Sequence, residues 1–197
     1  MPRSLTRAWF ARAAPLVAPE LLGRILVRRL PDGTVLRARI VETEAYEPAD
    51  PASHSFKGPT ARNASMFGPP GHLYVYLVYG LHHCLNVVTG PPGRGGAVLL
   101  RAGEPLVGHD AMAANRGTAR EDRLCSGPAR LAQALGVDRS LDGIDLLGSG
   151  PLRLHAGRPV PRARITVTRR IGVSTGVDTP WRVVATDSRW SLPSPRV

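Results

Sequence analysis

The sequence has almost no lysine. Of its 26 basic residues only Lys57 is a lysine and the others are arginines, and with 15 acidic residues the formal net charge is +11 at pH 7. Guanidinium groups suit bidentate contacts with phosphates, and a net positive field of this size attracts polyanions. The composition therefore favours a nucleic-acid partner. A merely basic enzyme, or an arginine bias set by a GC-rich genome, is the alternative explanation.

Cysteine and long apolar runs are also scarce. Cys84 and Cys125 are the two cysteines, which excludes a disulfide framework and fits reduced thiols. Residues 1–31 contain no apolar run of the length that a signal sequence or a membrane span needs. We therefore expect a cytoplasmic, nucleoid-associated protein with no membrane partner.

Paired metal-ligand motifs are missing as well. The histidines and cysteines show none of the C-x-x-C or H-x-x-x-H spacings typical of zinc sites, although His54, His72, His82 and His83 lie close together in the sequence. We therefore expect neither a metal nor a cofactor.

The length of 197 residues suits one domain, and we treat residues 1–197 as a single unit. The pattern predicts two strands, 25–27 and 35–46, joined by a tight turn at 31–33, and later strands at 144–154, 165–173 and 181–184. It predicts a helix that Gly23 ends, with Pro19 inside it, and a second helix from Ser126, as N-cap, to Gly136. We expect the tail after about residue 190 to be frayed.

Two apolar and aromatic segments, 73–79 and 81–88, meet at Tyr79-Gly80 and predict a hairpin with a tyrosine at the reversal. An exposed aromatic ring at such a tip could act as a wedge in a base stack. Equally, the tyrosines could complete a core.

Two glutamates fall on what alternation predicts to be an apolar face of the second strand. That face carries Ala38, Ile40, Glu42, Glu44 and Tyr46. A buried carboxylate is costly unless it works as a general base or pairs with an arginine, for example Arg37, Arg39 or Arg101. Arg101 is expected where the buried strand 97–100 ends. These considerations do not choose between the two glutamates.

The four tyrosines could serve a nucleic-acid base. Stacking between aromatic faces holds a flipped base, and an alkylated, cationic base gains cation–π attraction. The alternative is that these side chains are half-buried strand residues. They are Tyr46, Tyr74, Tyr76 and Tyr79.

A set of motifs in this order resembles the alkyladenine (3-methyladenine) DNA glycosylase family. They occupy residues 41–46, 52–55, 62–63, 66–76, 79–80, 84–88, 98–102 and 124–128. The resemblance covers most of the chain, from about residue 16 to 181. It implies a monofunctional hydrolase of base excision repair that acts on damaged double-stranded DNA, and we expect a monomer.

The resemblance also implies roles for individual residues. Glu44 aligns with the general base that activates water, and Arg101 with the arginine that helps to hold it. Tyr46, His54 and Tyr76 align with the walls of the base pocket. The residue that screens purines aligns with Asn86, and the residue that intercalates into DNA aligns with Tyr79.

Further DNA contacts are expected in the loop, at the hairpin tip and at the start of the second helix. They are Arg62, Asn63, Leu81, Ser126, Gly127 and Arg130. The sequence departs from the family pattern at Leu81, where some members carry methionine, and at His83, where many carry an aromatic residue. Pro19 falls in a stretch that is helical in the family.

The fold implied is α+β, a single domain with a curved antiparallel β-sheet core, few helices and a protruding β-hairpin. The function implied is hydrolysis of the N-glycosidic bond of an alkylated purine after base flipping. The alternative is a non-catalytic protein that binds distorted or single-stranded nucleic acid by aromatic stacking. Such a protein has no use for Glu44 and Arg101, so release of free base distinguishes the two.

Overall fold

The computed structural model describes residues 5–192, and its main feature is an eight-stranded antiparallel sheet. The strand order is β3-β4-β5-β2-β1-β6, and β8 joins β2 to β7. The strands are β1 (Ile25–Arg29), β2 (Val35–Tyr46), β3 (Leu73–Val78), β4 (His82–Thr89), β5 (Gly96–Val107), β6 (Leu152–His155), β7 (Ile165–Thr168) and β8 (Arg182–Ala185). The sheet curls into a half-barrel, and along one edge of β2 the first half of the strand pairs with β1 and the second half with β8. The predicted α+β fold, a single domain with a curved antiparallel sheet, is confirmed.

Four short α-helices are present in the described residues: α1 (Arg7–Phe10), α2 (Ala14–Leu21), α3 (His109–Arg116) and α4 (Pro128–Ala134). Helix α2 packs on β2 and β5, and α4 packs on β4 and β5. They cover the main core, to which Phe10, Leu21, Leu100 and Met112 contribute fully buried side chains. No helix in this part of the chain is both long enough and apolar enough to cross a membrane.

Helix α2 contains Pro19 and ends where the sequence predicts. Leu22 is its C-cap, and Gly23 follows with φ +85°, a left-handed conformation that favours glycine. The Thr43 hydroxyl of β2 donates to the Ala18 carbonyl at 3.0 Å. This bond satisfies one of the carbonyls that the last turn of a helix leaves without an intrahelical partner.

The hairpin of β3 and β4 places a tyrosine at its tip, as predicted. The strands pair from Leu73 opposite Val87 to Val78 opposite His82. Tyr79 (φ +52°) and Gly80 (φ +69°) occupy the turn, where two positive φ values match the right-handed twist of the strands. The Tyr79 side chain is 89% exposed.

The sequence placed Arg101 at the end of a strand, and this is wrong. Strand β5 continues to Val107, and Arg101 lies in its middle, 4% exposed. A buried arginine is tolerated there because two carboxylates of β2 accept its hydrogen bonds.

The predicted N-cap of the second helix is also wrong. Helix α4 begins at Pro128, and its N-cap is Gly127, which has no side chain to cap the first turn. Ser126 is buried one residue earlier, where Ala102 and Ser126 form an isolated β-bridge. The predicted end is confirmed, because Gly136 has φ +58° beyond the last turn.

The two glutamates do point the same way, but they do not share the main apolar face with Ala38 and Ile40. The pairing of β2 with β5 is irregular between Ile40 and Thr43. Beyond this irregularity Thr43 contacts α2 and Ala45 joins the main core, so Glu42 and Glu44 lie on the opposite side of the sheet.

The later strands are shorter than predicted. Only Leu152–His155 and Ile165–Thr168 are strands in the segments 144–154 and 165–173, whereas the predicted strand near 181–184 is β8. Residues 169–176 form a loop instead, held by side-chain contacts described below. From residue 193 onward, the tail predicted to fray lies outside the described residues.

Candidate active site

A single row of side chains crosses four strands on one face of the sheet. Tyr74 of β3 lies opposite Asn86 of β4, Asn86 lies opposite Leu99 of β5, and Leu99 lies opposite Glu44 of β2. Directly paired residues project to the same face. The residues two positions further along three of these strands, Tyr76, Arg101 and Tyr46, project to that face as well. The sheet thus brings the predicted aromatic residues and the predicted carboxylate together.

A cavity of about 430 Å³ opens on this face. This volume lies within the range of about 300–1,000 Å³ that is typical of small-ligand sites. Aromatic rings, a loop and the hairpin line it: Tyr46, Pro51, Ala52, His54, Arg62, Met66, Tyr74, Tyr76, Val78, Tyr79, Asn86 and residues 172–175. The three predicted wall residues, Tyr46, His54 and Tyr76, and the predicted purine screen Asn86 therefore line one cavity.

The aromatic side of the cavity is a packed, hydrogen-bonded cluster. The ring centroids of His54 and Tyr76 are 4.5 Å apart at an interplanar angle of 81°, and those of Tyr74 and Tyr76 are 5.7 Å apart. His54 Nδ1 and the Tyr74 hydroxyl share a hydrogen bond of 2.8 Å. Such mutual contacts fix the ring planes before any ligand arrives.

These groups are electrically neutral near pH 7. Burial lowers the pKa of His54, and the nearby Arg62 lowers it further. Burial raises the pKa of Tyr74 to about 12 and raises the pKa of Tyr76 as well. The cavity therefore offers a ligand aromatic faces and hydrogen-bonding groups, and none of these three rings carries a charge.

A hydrogen-bonded cluster of two arginines and two glutamates lies beside the cavity. Arg101 donates from Nε to Glu42 Oε1 at 2.8 Å and from Nη1 to Glu44 Oε2 at 3.0 Å. Arg182, fully buried, also donates from Nε to Glu42 Oε1 at 2.8 Å. The second oxygen of Glu42 accepts from the Leu192 amide. Glu42 is thus held by two arginines, and Glu44 by one.

Glu44 has the environment of a tuned carboxylate. Burial raises its pKa, while the attraction of Arg101 and a hydrogen bond from the Ile171 amide at 2.8 Å oppose the rise. Burial is the largest of these effects, and the like charge of Glu42 adds to the rise in pKa. A carboxylate with a raised pKa is a stronger proton acceptor than an ordinary glutamate.

Tyr46 connects Glu44 to the cavity. Its hydroxyl donates to Glu44 Oε2 at 2.9 Å, while its ring lines the cavity wall. Glu44 itself is 0% exposed and lies behind this wall. A water molecule that displaced the Tyr46 hydroxyl would reach a carboxylate oriented by Arg101 and by the Ile171 amide.

The predicted DNA contacts divide into surface and interior residues. Arg62 and Tyr79 line the cavity mouth, and Leu81 is 77% exposed at the hairpin tip. Asn63 is buried, and its amide group bonds within the loop to His54, Gly58 and Thr60.

The three residues predicted around the start of α4 lie elsewhere. Ser126 and Gly127 are buried, whereas Arg130 is exposed and donates to Ser126. None of the three lines the cavity.

Sequence reasoning missed Arg182 and the loop at 169–176. The sequence predicts a strand at 181–184, but Arg182 gives no local sign that it differs from the other arginines of an arginine-rich chain. The run of glycine, serine and threonine after Arg170 was the available signal, because such residues form loops close to ligands.

A larger groove of about 1150 Å³ contains none of the predicted site residues. It is mostly apolar and lies along α2 and β7, where Leu16 and Val167 are more than half exposed. Size alone does not make it the site, because it has no convergent polar groups comparable to the carboxylate cluster. In the described residues, no three His, Cys, Asp or Glu side chains are grouped so that they could hold a metal ion.

Comparison with known proteins gives consistent matches. The model of the family described as methylpurine-DNA glycosylase matches residues 8–189. A protein of Streptomyces avermitilis is 54% identical over 183 residues, which cover 90% of this chain and 85% of the relative. A protein of Carboxydothermus hydrogenoformans is 48% identical over 94% of this chain and 97% of its own length. Both carry the name "Putative 3-methyladenine DNA glycosylase".

A third relative gives the same result. A protein of Methanoculleus marisnigri with that name is 46% identical over 190 residues, which cover 95% of this chain and 97% of the relative. The family match spans the sheet, the cavity and the carboxylate cluster, and the relatives match over nearly their full length. The chain therefore belongs to the methylpurine-DNA glycosylase family, and it is a hydrolase of the DNA glycosylase class that functions in DNA repair.

Proposed function

We propose that the protein hydrolyses the N-glycosidic bond of alkylated purines of the 3-methyladenine type, taken out of the DNA stack into the aromatic cavity. Glu44 is the general base that activates water. The observation that carries the proposal is the hydrogen bond from Tyr46, a cavity wall, to a buried carboxylate that Arg101 orients. Glu42 is the less suitable base because two arginines and a backbone amide already donate hydrogen bonds to its carboxylate oxygens.

The reaction needs only one carboxylate. Alkylation makes the purine cationic, so the base leaves as a neutral molecule when the bond from C1′ to nitrogen breaks. The water oxygen forms the new bond to C1′, and its proton passes to Glu44. Ordinary glycosidases need a second carboxyl group as general acid because their leaving group is a poor one.

The aromatic cavity supports recognition of such a base. Tyr46, His54 and Tyr76 offer ring faces for stacking, and a cationic base gains cation–π attraction from tyrosine. These three side chains are uncharged near pH 7, because burial lowers the pKa of His54 and raises the pKa of both tyrosines, so they do not repel the positive charge of the base.

The substrate is double-stranded DNA with a damaged base, bound by a monomer at the nucleoid. The net charge of +11 draws the phosphate backbone, and Arg62 at the cavity mouth is placed to meet it. Tyr79, exposed at the hairpin tip beside the cavity, fills the space that the flipped nucleotide leaves.

Base release from methylated DNA tests the proposal. Purified protein is incubated with methylated duplex in the presence of EDTA, and free bases are separated by chromatography. We expect 3-methyladenine in the soluble fraction. Tight binding of the duplex without release of any base would support a stacking module and contradict the proposal.

The proposed role of Tyr79, to fill the space that the flipped nucleotide leaves, is tested with Tyr79→Ala. We expect a loss of binding to a paired lesion of the order of ten- to a hundredfold, because the ring offsets a flipping cost of a few kcal/mol. Binding to a duplex in which the damaged base is already unpaired should weaken less. The replacement keeps a Cβ at the same φ, so it adds no backbone strain.

Tyr79→Phe, which retains the ring, serves as the matched control and should bind like the wild type. Dissociation constants are measured on both duplexes, with a thermal melt of each variant. Equal losses on the two duplexes, together with a lower melting temperature, would show a role in folding instead.

The proposed role of Asn86 in discriminating between purines is tested with Asn86→Ala. Asn86 is 3% exposed and donates from Nδ2 to the Tyr74 carbonyl at 3.1 Å, while it lines the cavity. Guanine carries an exocyclic amino group that this side chain excludes, so we expect the variant to raise release of guanine-type bases relative to hypoxanthine. Single-turnover release of 7-methylguanine, guanine and hypoxanthine measures the ratio. A uniform fall in all rates would identify Asn86 as a structural residue only.

A further inference from the structure

A second buried ion pair lies directly behind the cavity wall. Arg170 and Asp50 have side chains 0% and 2% exposed, and both guanidinium nitrogens Nη1 and Nη2 donate to the carboxylate. Arg170 also donates to the Ala45 carbonyl at 3.3 Å and to the Gly176 carbonyl at 3.0 Å. The pair therefore fastens the loop at 170–176 to β2.

The positive member of this pair faces an aromatic wall of the cavity. The Arg170 guanidinium carbon lies 4.9 Å from the centroid of the Tyr46 ring. Pro51, next to Asp50, and Gly172, two residues after Arg170, line the cavity themselves. A base stacked against Tyr46 would therefore lie close to the Arg170 guanidinium, in surroundings that screen charge less than water does.

We propose that Asp50 is a specificity-determining residue that permits activity on cationic bases by cancelling the charge of Arg170. This inference rests on the proposed function. The arginine is needed because its donors hold the loop, but its charge alone would repel a positively charged purine and would compete for the Tyr46 ring. Because the Asp50 carboxylate is paired with it, the charge of Arg170 is balanced, and the cavity accepts cationic and neutral bases according to shape and stacking.

The test uses two polar variants that change the local charge in opposite directions. Asp50→Asn leaves Arg170 uncompensated, and Arg170→Gln leaves Asp50 uncompensated. Single-turnover excision is measured for a cationic base, 7-methylguanine or 3-methyladenine, and for a neutral one, hypoxanthine or ethenoadenine, in the same duplex context. We expect the ratio of cationic to neutral excision to fall on the order of tenfold in Asp50→Asn and to rise by a similar factor in Arg170→Gln.

Two controls separate charge from folding. The double variant Asp50→Asn with Arg170→Gln carries no buried charge at this position and should restore the wild-type ratio, whatever its absolute rate. Asp145→Asn removes the carboxylate from another ion pair, with Arg7 at 2.7 Å, away from the cavity, and should leave the ratio unchanged.

The outcomes are distinguishable from failure of the proposed function. If the wild-type protein releases no base at all, the proposed function fails. If it releases bases, but the two single variants leave the ratio unmoved or shift it in the same direction, the Asp50 inference is overturned and the pair only supports the fold. A double variant whose ratio departs from the wild type overturns the inference too.

Discussion

Glu44→Gln is expected to lower single-turnover excision by about two to four powers of ten while binding of a duplex with an abasic analogue stays near normal. The amide keeps the size of the side chain and can still contact Arg101 and the Tyr46 hydroxyl, but it cannot accept a proton from water. The measurement pairs base-release rates with a binding titration, so that lost chemistry is separated from lost affinity.

The pH dependence of the wild-type excision rate tests the assignment of Glu44 as the base independently of mutation. The base must be ionised to act, so the rate should fall as the pH decreases through the pKa of Glu44. Because burial raises that pKa, the acidic limb should lie above the ordinary range of glutamate. If Glu44→Gln retained near-normal excision while Glu42→Gln lost it with its fold intact, the assignment of the base would be reversed.

Glu42→Gln is expected to destabilise the protein by about 3–5 kcal/mol, with a melting temperature lower by roughly 6 to 20 °C. The Glu42 carboxylate lies between Arg101 and Arg182 at 2.8 Å from each, with no exposed surface. Removing its charge takes a carboxylate partner away from two buried guanidinium groups at once. Thermal and urea unfolding measure the effect.

Glu104→Gln is the matched control on the same sheet. Glu104 pairs with Arg39, but both side chains are partly exposed, so water replaces the lost contact and the cost should stay below about 1 kcal/mol. Similar losses for the two variants would show that the buried cluster contributes no more than a surface pair.

The sequence by itself determined the local structure wherever one residue type was required. A glycine that follows a tyrosine between two apolar strands specified the hairpin and its exposed tip, because two positive φ values are needed there. Gly23 ended α2 for a similar reason. The motif set also identified the family, and the family match confirms it.

Alternation along β2 correctly placed Glu42 and Glu44 on one face, but it could not say what covers that face. Near Ile40 the pairing with β5 becomes irregular, and beyond it the side chains that alternate with the glutamates face the main core. The irregularity depends on β5, about sixty residues further along the chain, and so cannot be seen in the sequence of β2. Likewise, Ser126 has the composition of an N-cap, but a bridge to Ala102 buried it instead.

Only the tertiary structure decided how the two glutamates differ. Both are short acidic side chains two residues apart, and nothing local distinguishes them. Arg182, 140 residues beyond Glu42, and the loop at Ile171 arrive from the far end of the chain, giving Glu42 two guanidinium partners and Glu44 one, together with a tyrosine that faces the cavity. The pKa of a buried carboxylate depends on the charges and donors that surround it in space, so its chemical role is a property of the folded sheet and not of the strand that carries it.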